Sequence, residues 1–136
     1  MDKNILDIIK LLTTVLVAVI GWLIGYYFTS KRDISNKRRD ITLQHLINAY
    51  RILTNDISHR PHSKERQHKL ESIISDIQLF GSKEQAEIVA QLARDMAAKK
   101  DYEYDTIINS LRADLREQLD LEHINGNVTW LRYTDD

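Results

Sequence analysis

Asp101, Glu103 and Asp105 stand at the first three ligand spacings of a calcium loop, where alternate carboxylates can converge on one hard cation. The rest of the loop is missing, because Thr106 stands where the sharp turn needs glycine and Arg112 where the bidentate glutamate belongs. The triplet therefore reads as a solvated turn between helices. His59, His62 and His68 crowd a second segment, HRPHSKERQH, beside Arg60, Lys64 and Arg66. Tetrahedral zinc requires three or four ligands at fixed spacing, and a His59-x-x-His62 pair straddling Pro61 does not supply them. The segment reads instead as a basic patch facing a membrane or an acidic partner, strengthened by protonation below about pH 6.5. His45 and His123 lie on patterned elements and read as surface or partly buried side chains. The chain contains no cysteine, which removes thiolate nucleophiles and thiolate metal sites. Its body offers only Gly81 and Gly126, too isolated for a phosphate loop, and no serine sits in a nucleophile-elbow sequence. No cofactor and no metal are expected.

One further pair suggests chemistry. Arg39 precedes His45 by six positions, a spacing that resembles the R-x(4-6)-H motif of HEPN ribonucleases. That resemblance rests on these two positions. It implies an all-α domain that dimerises to set two motifs around an RNA phosphate, with Arg39 binding phosphate and His45 activating the ribose hydroxyl or organising the site. The competing reading is an arginine and a histidine on a helix surface beside a membrane neck. A non-enzymatic role is the primary expectation, and the ribonuclease is the alternative.

The elements that must position these residues begin with an uncharged apolar run over residues 11–28, LLTTVLVAVIGWLIGYYF, followed at once by KRDISNKRRD. Eighteen helical residues rise roughly 27 Å, close to the hydrocarbon thickness of a bilayer. The run lacks the short core and small-residue cleavage site of a signal peptide, and it leaves through Tyr26, Tyr27 and Phe28, which suit a membrane interface. Lys31, Arg32, Lys37, Arg38 and Arg39 follow the span, against Lys3 and Lys10 before it. The bias predicts residues 1–10 outside and the body in the cytoplasm. Residues 29–42 form a basic neck suited to anionic lipid head groups, worth about 1 kcal/mol per basic residue near the surface, or serving only to enforce topology. From position 40 onward the chain carries 12 basic and 17 acidic residues, a balance that disfavours general nucleic-acid binding.

Within the span, Gly21-Trp-Leu-Ile-Gly25 is a GxxxG, and Ala18 extends its small-residue face. Small residues let backbones approach for van der Waals packing where lipid removes the hydrophobic incentive. A homo-oligomer built on Ala18, Gly21 and Gly25 is expected. Thr13 and Thr14 either bond across helices or bond their own backbone.

The body, residues 43–136, holds one proline and long helical stripes. Leu43, Leu46, Tyr50, Leu53 and Ile57, widened by Ile47, alternate steps of three and four until His59-Arg60-Pro61 interrupts them. Leu70, Ile73, Ile74, Ile77 and Phe80 form a second stripe that ends at Gly81, expected to close the helix in the left-handed conformation. Ser82 and Gln85 read as a capping box opening a third helix through Val89, Leu92, Ala93 and Met96. Asp105 is expected to cap a fourth helix carrying Ile108, Leu111, Leu115 and Leu119. Asn125-Gly126 signals a short hairpin, with Trp130 and Leu131 docking on the bundle.

The order of membrane span, NKRRD, NAYRIL, SDIQLFGS, LRADLREQLDLE and NVTWLR resembles a family of small single-pass bacterial membrane proteins with a cytosolic helical domain. The resemblance implies the architecture and brings no activity with it. The expectation is an all-α protein: one transmembrane helix, then a cytosolic bundle of about four helices with a possible short C-terminal β-hairpin. In function it is an oligomeric inner-membrane module acting through protein contacts as adaptor, regulator or antiviral defence effector. A third alternative is an oligomer that itself perturbs the membrane.

Overall fold

The computed structural model describes residues 2–133; residue 1 and residues 134–136, the outer ends of the expected tail and cytosolic domain, lie outside the described residues. Four α-helices follow in order: α1 (Lys3–Ile52), α2 (Lys64–Phe80), α3 (Lys83–Ala97) and α4 (Asp105–Gln118), with a π-helical turn, Leu53–Ile57, between α1 and α2. The chain divides into two compact units, Met1–Asp40 and Ile41–Asp136, and α1 contributes residues to both.

The first unit is a single helix, long and apolar enough to cross a membrane, and none of its apolar window is buried. Side chains point outward in every direction, from Ile5 to Phe28. Thr13 and Thr14 donate their hydroxyls to the carbonyls of Ile9 and Lys10, each at 2.9 Å. Within one chain these hydroxyls therefore serve the helix's own backbone.

In the second unit the predicted stripes turn inward. Leu46, Ala49, Leu53 and Ile57 meet Leu70, Ile73 and Ile77 of α2, Val89 of α3, and Ile107, Ile108, Leu111 and Leu115 of α4 in one buried cluster. Leu119, expected to extend the fourth stripe, is 48% exposed, because α4 ends at Gln118 and the chain turns through Asp120 at φ 55°.

Three helix ends show how the boundaries are set. The Ser82–Gln85 capping box is formed: the Gln85 amide donates to Ser82 Oγ at 3.2 Å, and the Ser82 amide donates to Gln85 Oε1 at 2.9 Å. Gly81 closes α2 with φ −73° and ψ 168°, an extended rather than left-handed conformation. Glycine is needed there for space, since a Cβ would lie 2.5 Å from the Ile77 carbonyl oxygen and 3.0 Å from Gln85 Oε1. α4 begins after Tyr104, and Asp105 is its first residue rather than its cap. A carboxylate in that first turn still complements the helix dipole.

No strand occurs among the described residues, and the Asn125-Gly126 signal produces only a bend. Gly126 takes φ 86°. Two isolated strands are marginal in water, and α4 offers the segment cationic donors instead. Arg116 Nε donates to the Glu122 carbonyl at 2.6 Å, Arg112 donates to the Gly126 carbonyl, and Asn109 Nδ2 donates to Asn127 Oδ1 at 2.8 Å. Trp130 packs against the core, whereas Leu131, expected to dock beside it, is 73% exposed.

Candidate functional site

The apolar helix of the first unit carries the residues expected to meet lipid and a second copy. Trp22 stacks on Tyr26 with ring centroids 5.9 Å apart, and Tyr27 meets Phe28 edge-on at 5.8 Å. These rings form an aromatic patch at the end of the uncharged stretch. A Cβ built on Gly21 or Gly25 finds no atom within 4 Å. With Ala18, they leave a shallow face on which another helix backbone can approach closely. Lys31, Arg32, Lys37, Arg38 and Arg39 are all exposed. Tyr27, Lys31, Ile34 and Arg38, with Ser30 and Ser35, line one groove along the helix.

Axial rise separates the basic residues into two tiers. Lys31 and Arg32 lie within about one turn of Phe28, whereas residues 37–39 lie roughly 14–17 Å further along at 1.5 Å per residue. Were the helix to stand upright in a bilayer, the first tier would meet the head groups directly, and the second would reach them only through the length of its side chains or through tilt.

In the second unit the chemistry-bearing residues are dispersed into packing roles. His45, half-buried, lies flat on Phe80 with centroids 4.2 Å apart and planes 6° from parallel. Its ring is held by α2. His59, at φ 56°, meets Trp130 at 4.8 Å with planes inclined 62°. His62 Nδ1 lies 3.3 Å from Arg66 Nη1, and His68 lies 3.8 Å from Glu71. Glu103 accepts from Thr106 Oγ1 at 3.1 Å, and Asp105 accepts from Asn127 Nδ2 at 3.5 Å.

What the structure does gather is a cluster that no sequence motif announces. The π-helical turn leaves carbonyls unpaired at the end of α1, and cationic or indole donors from distant segments serve them. Trp130 Nε1 donates to the Thr54 carbonyl at 2.9 Å, and Arg132 donates to the same oxygen and to Ser58. Arg66 places Nε and Nη2 on the Ile57 carbonyl at 3.0 and 2.9 Å, and Arg60 Nε reaches the Asn55 carbonyl at 2.9 Å. Three guanidinium groups thus sit at the negative end of a helix dipole, where cations are favoured by about 0.3–1 kcal/mol each. Lys69 bridges Asp56 and Glu65 at 3.3 Å each, and the hydrogen bond it donates to Glu65 raises its pKa above the ordinary lysine value, with Asp56 acting in the same direction. Tyr104 lies under Arg66, whose Cζ is 5.9 Å from the ring centroid. Partial burial, followed by the neighbouring Tyr102, raises the Tyr104 phenol above its ordinary pKa.

Sequence reasoning expected Trp130 to dock but missed what it docks on. The partners lie 76 and 78 residues away from Trp130 and Arg132, and a backbone carbonyl exposed by a π turn has no residue-type signature. The pairing of Arg66 with Ile57 is equally invisible, although its nine-residue separation spans Pro61 and the break between α1 and α2.

No protein-family model, no curated protein and no solved structure matches this chain.

Proposed function

We propose that this chain is a single-pass membrane protein that displays a small helical interaction module in the bacterial cytoplasm. It assembles into oligomers and acts through protein contacts as an adaptor, regulator or defence effector. The observation that carries the reading is the exposure of apolar side chains on every side of α1 from Ile5 to Phe28. A helix apolar all round needs a protein interior or lipid around it, and none of its apolar window is buried by the rest of the fold. The ten Leu, Ile, Val and Phe side chains of residues 11–28, at about 0.3–0.6 kcal/mol each, favour insertion by roughly 3–6 kcal/mol with no charged residue to oppose it.

The basic residues at positions 31–39 support a cytoplasmic body and an outside N-terminus, and they give anionic lipid a place to bind. The open face at Ala18, Gly21 and Gly25 supports self-association within the bilayer. The resemblance to small single-pass bacterial membrane proteins agrees with this architecture. No covalent chemistry is assigned to any residue.

The test is fractionation of the full chain. It is expected in the membrane pellet after high-salt and alkaline washes, released only by detergent, with its C-terminus inaccessible to protease in intact cells. Recovery as a folded species in a detergent-free supernatant would refute the anchor. Gly21→Leu with Gly25→Leu is expected to reduce cross-linked species while leaving membrane retention unchanged.

A further inference from the structure

We propose that the cytoplasmic module also self-associates, the segment just after α4 of one copy entering the groove between α2 and α3 of another. This inference rests on the oligomeric reading above and names a second interface for it, outside the membrane.

The groove has a volume of about 530 Å³, with an apolar floor of Leu70, Ile74, Ala93 and Met96 and a polar rim on which His62, Lys64 and Arg66 outnumber the one acid, Glu71. None of its lining residues belongs to α4 or to the segment that follows. An apolar floor with Lys64 at a rim of net positive charge fits an apolar segment that carries acid groups. The chain presents one. Leu119, Leu121 and Ile124 are 48%, 49% and 48% exposed, interleaved with Asp120 and Glu122. The segment is held in a fixed shape on its own α4, by Arg116 on the Glu122 carbonyl at 2.6 Å and Arg112 on the Ile124 carbonyl at 3.4 Å. A preshaped segment loses little conformational entropy on docking. Groove and segment share no residue, so each copy uses one surface to give and another to receive, and the exchange closes as a reciprocal two-fold pair or continues around a ring.

The absence of cysteine makes the test clean in the full-length, membrane-embedded protein. Met96→Cys and Leu121→Cys are introduced in separately tagged copies, co-expressed, and oxidised in isolated membranes. The expected result is a disulfide between position 96 of one copy and position 121 of another, at a yield well above either homotypic pair. Lys64→Glu in the groove-bearing copy is expected to lower that yield about tenfold, and Glu122→Lys in the donor copy to restore it. A heterotypic yield no higher than the homotypic ones would overturn the proposal. So would a yield indifferent to Lys64→Glu, or protection of the cysteine at position 96 from maleimide without a cross-link, which would indicate a small amphipathic anion in the groove. Membrane retention is measured on the same samples. A retained chain lacking the 96–121 cross-link refutes only this contact, whereas loss from the membrane refutes the anchor.

Discussion

The indole Nε1 of Trp130 donates to the backbone carbonyl of Thr54 at 2.9 Å, 76 residues away in the sequence. The acceptor is available because the turn at Leu53–Ile57 is π-helical, with the Ser58 amide returning to the Leu53 carbonyl at 2.9 Å. The widened turn breaks the ordinary pairing of α1 and leaves buried Thr54 with a carbonyl to be satisfied from outside. This hydrogen bond, with those from Arg132 to the Thr54 and Ser58 carbonyls, ties the last described segment to the turn that ends the first helix. Trp130→Phe keeps the ring and deletes the donor, and is expected to cost about 1 kcal/mol in detergent-solubilised protein unfolded by urea. Placed in a Trp22→Phe background, the wild-type indole becomes the sole tryptophan, and its emission should shift when the segment detaches.

Gly81 is held by contact rather than by dihedral angle. Gly81→Ala drives a Cβ toward a backbone oxygen at 2.5 Å, which cannot yield without moving α2. A loss of about 1–3 kcal/mol is expected in the same unfolding assay. No loss would show that the α2–α3 corner relaxes freely.

Gln85, 1% exposed, closes the capping box and also donates to Asp114 Oδ2 at 3.2 Å, joining α3 to α4. Gln85→Ala is expected to destabilise the fold by about 1–3 kcal/mol, since buried polar partners are left unpaired. Gln85→Glu keeps the acceptor for Ser82 but sets two carboxylates together. Its stability should recover as pH falls and one of them takes a proton.

Lys99 and Asp120 end α3 and α4 in the left-handed region, at φ 54° and 55°. The Lys100 amide returns to the Asp95 carbonyl and the Leu121 amide to the Arg116 carbonyl, so each helix closes through a Schellman-type bond. A side chain in that conformation costs roughly 1–2 kcal/mol. Lys99→Gly is expected to raise stability by up to about 1 kcal/mol, part of the gain being offset by the freer unfolded chain. A fall in stability would mean that the lysine side chain makes a contact worth more than the strain.

The raised pKa of Tyr104 makes stability fall at alkaline pH. In that range the unfolded phenol ionises first, so the folded state binds more protons and stability declines as pH rises. The contribution is complete below about pH 10, the unfolded value, and is lost as pH passes through the higher folded one. Lys69, raised by Glu65 and Asp56, acts in the same sense. Tyr104→Phe is expected to flatten the decline above about pH 10, read as the urea midpoint against pH. An unchanged slope would assign the decline to other groups.

Much of the second unit's framework was legible because its stripes are periodic. Leu46, Leu53, Ile57, Leu70, Ile73, Ile77, Val89, Leu92, Ile108, Leu111 and Leu115 are all buried, at positions the three-and-four spacing assigns. The capping box at Ser82 and Gln85 was legible for a similar reason, since both its bonds lie within four consecutive residues. Gly81 and Asp105 were located correctly as boundary residues and misassigned in conformation. Close approach of a carbonyl and a one-residue shift of a helix start leave no mark on composition. Asn125-Gly126 marks a bend, with no strand on either side of it among the described residues, and arginines on α4 take carbonyls of this segment instead. Of the site residues expected from sequence, His45 is found stacked on Phe80, a contact between helices that a motif spacing on one helix has no means to express.

The sequence alone determined the uncharged apolar run of the first helix and the periods of the others, because transfer free energy and helical spacing are sums over neighbouring residues. Tertiary structure alone decided the π-helical turn, the guanidinium and indole donors gathered on its carbonyls, and the groove between α2 and α3. Each of these depends on which distant backbone groups are left without a partner once the core has closed, and that is a property of the packed chain rather than of any window along it.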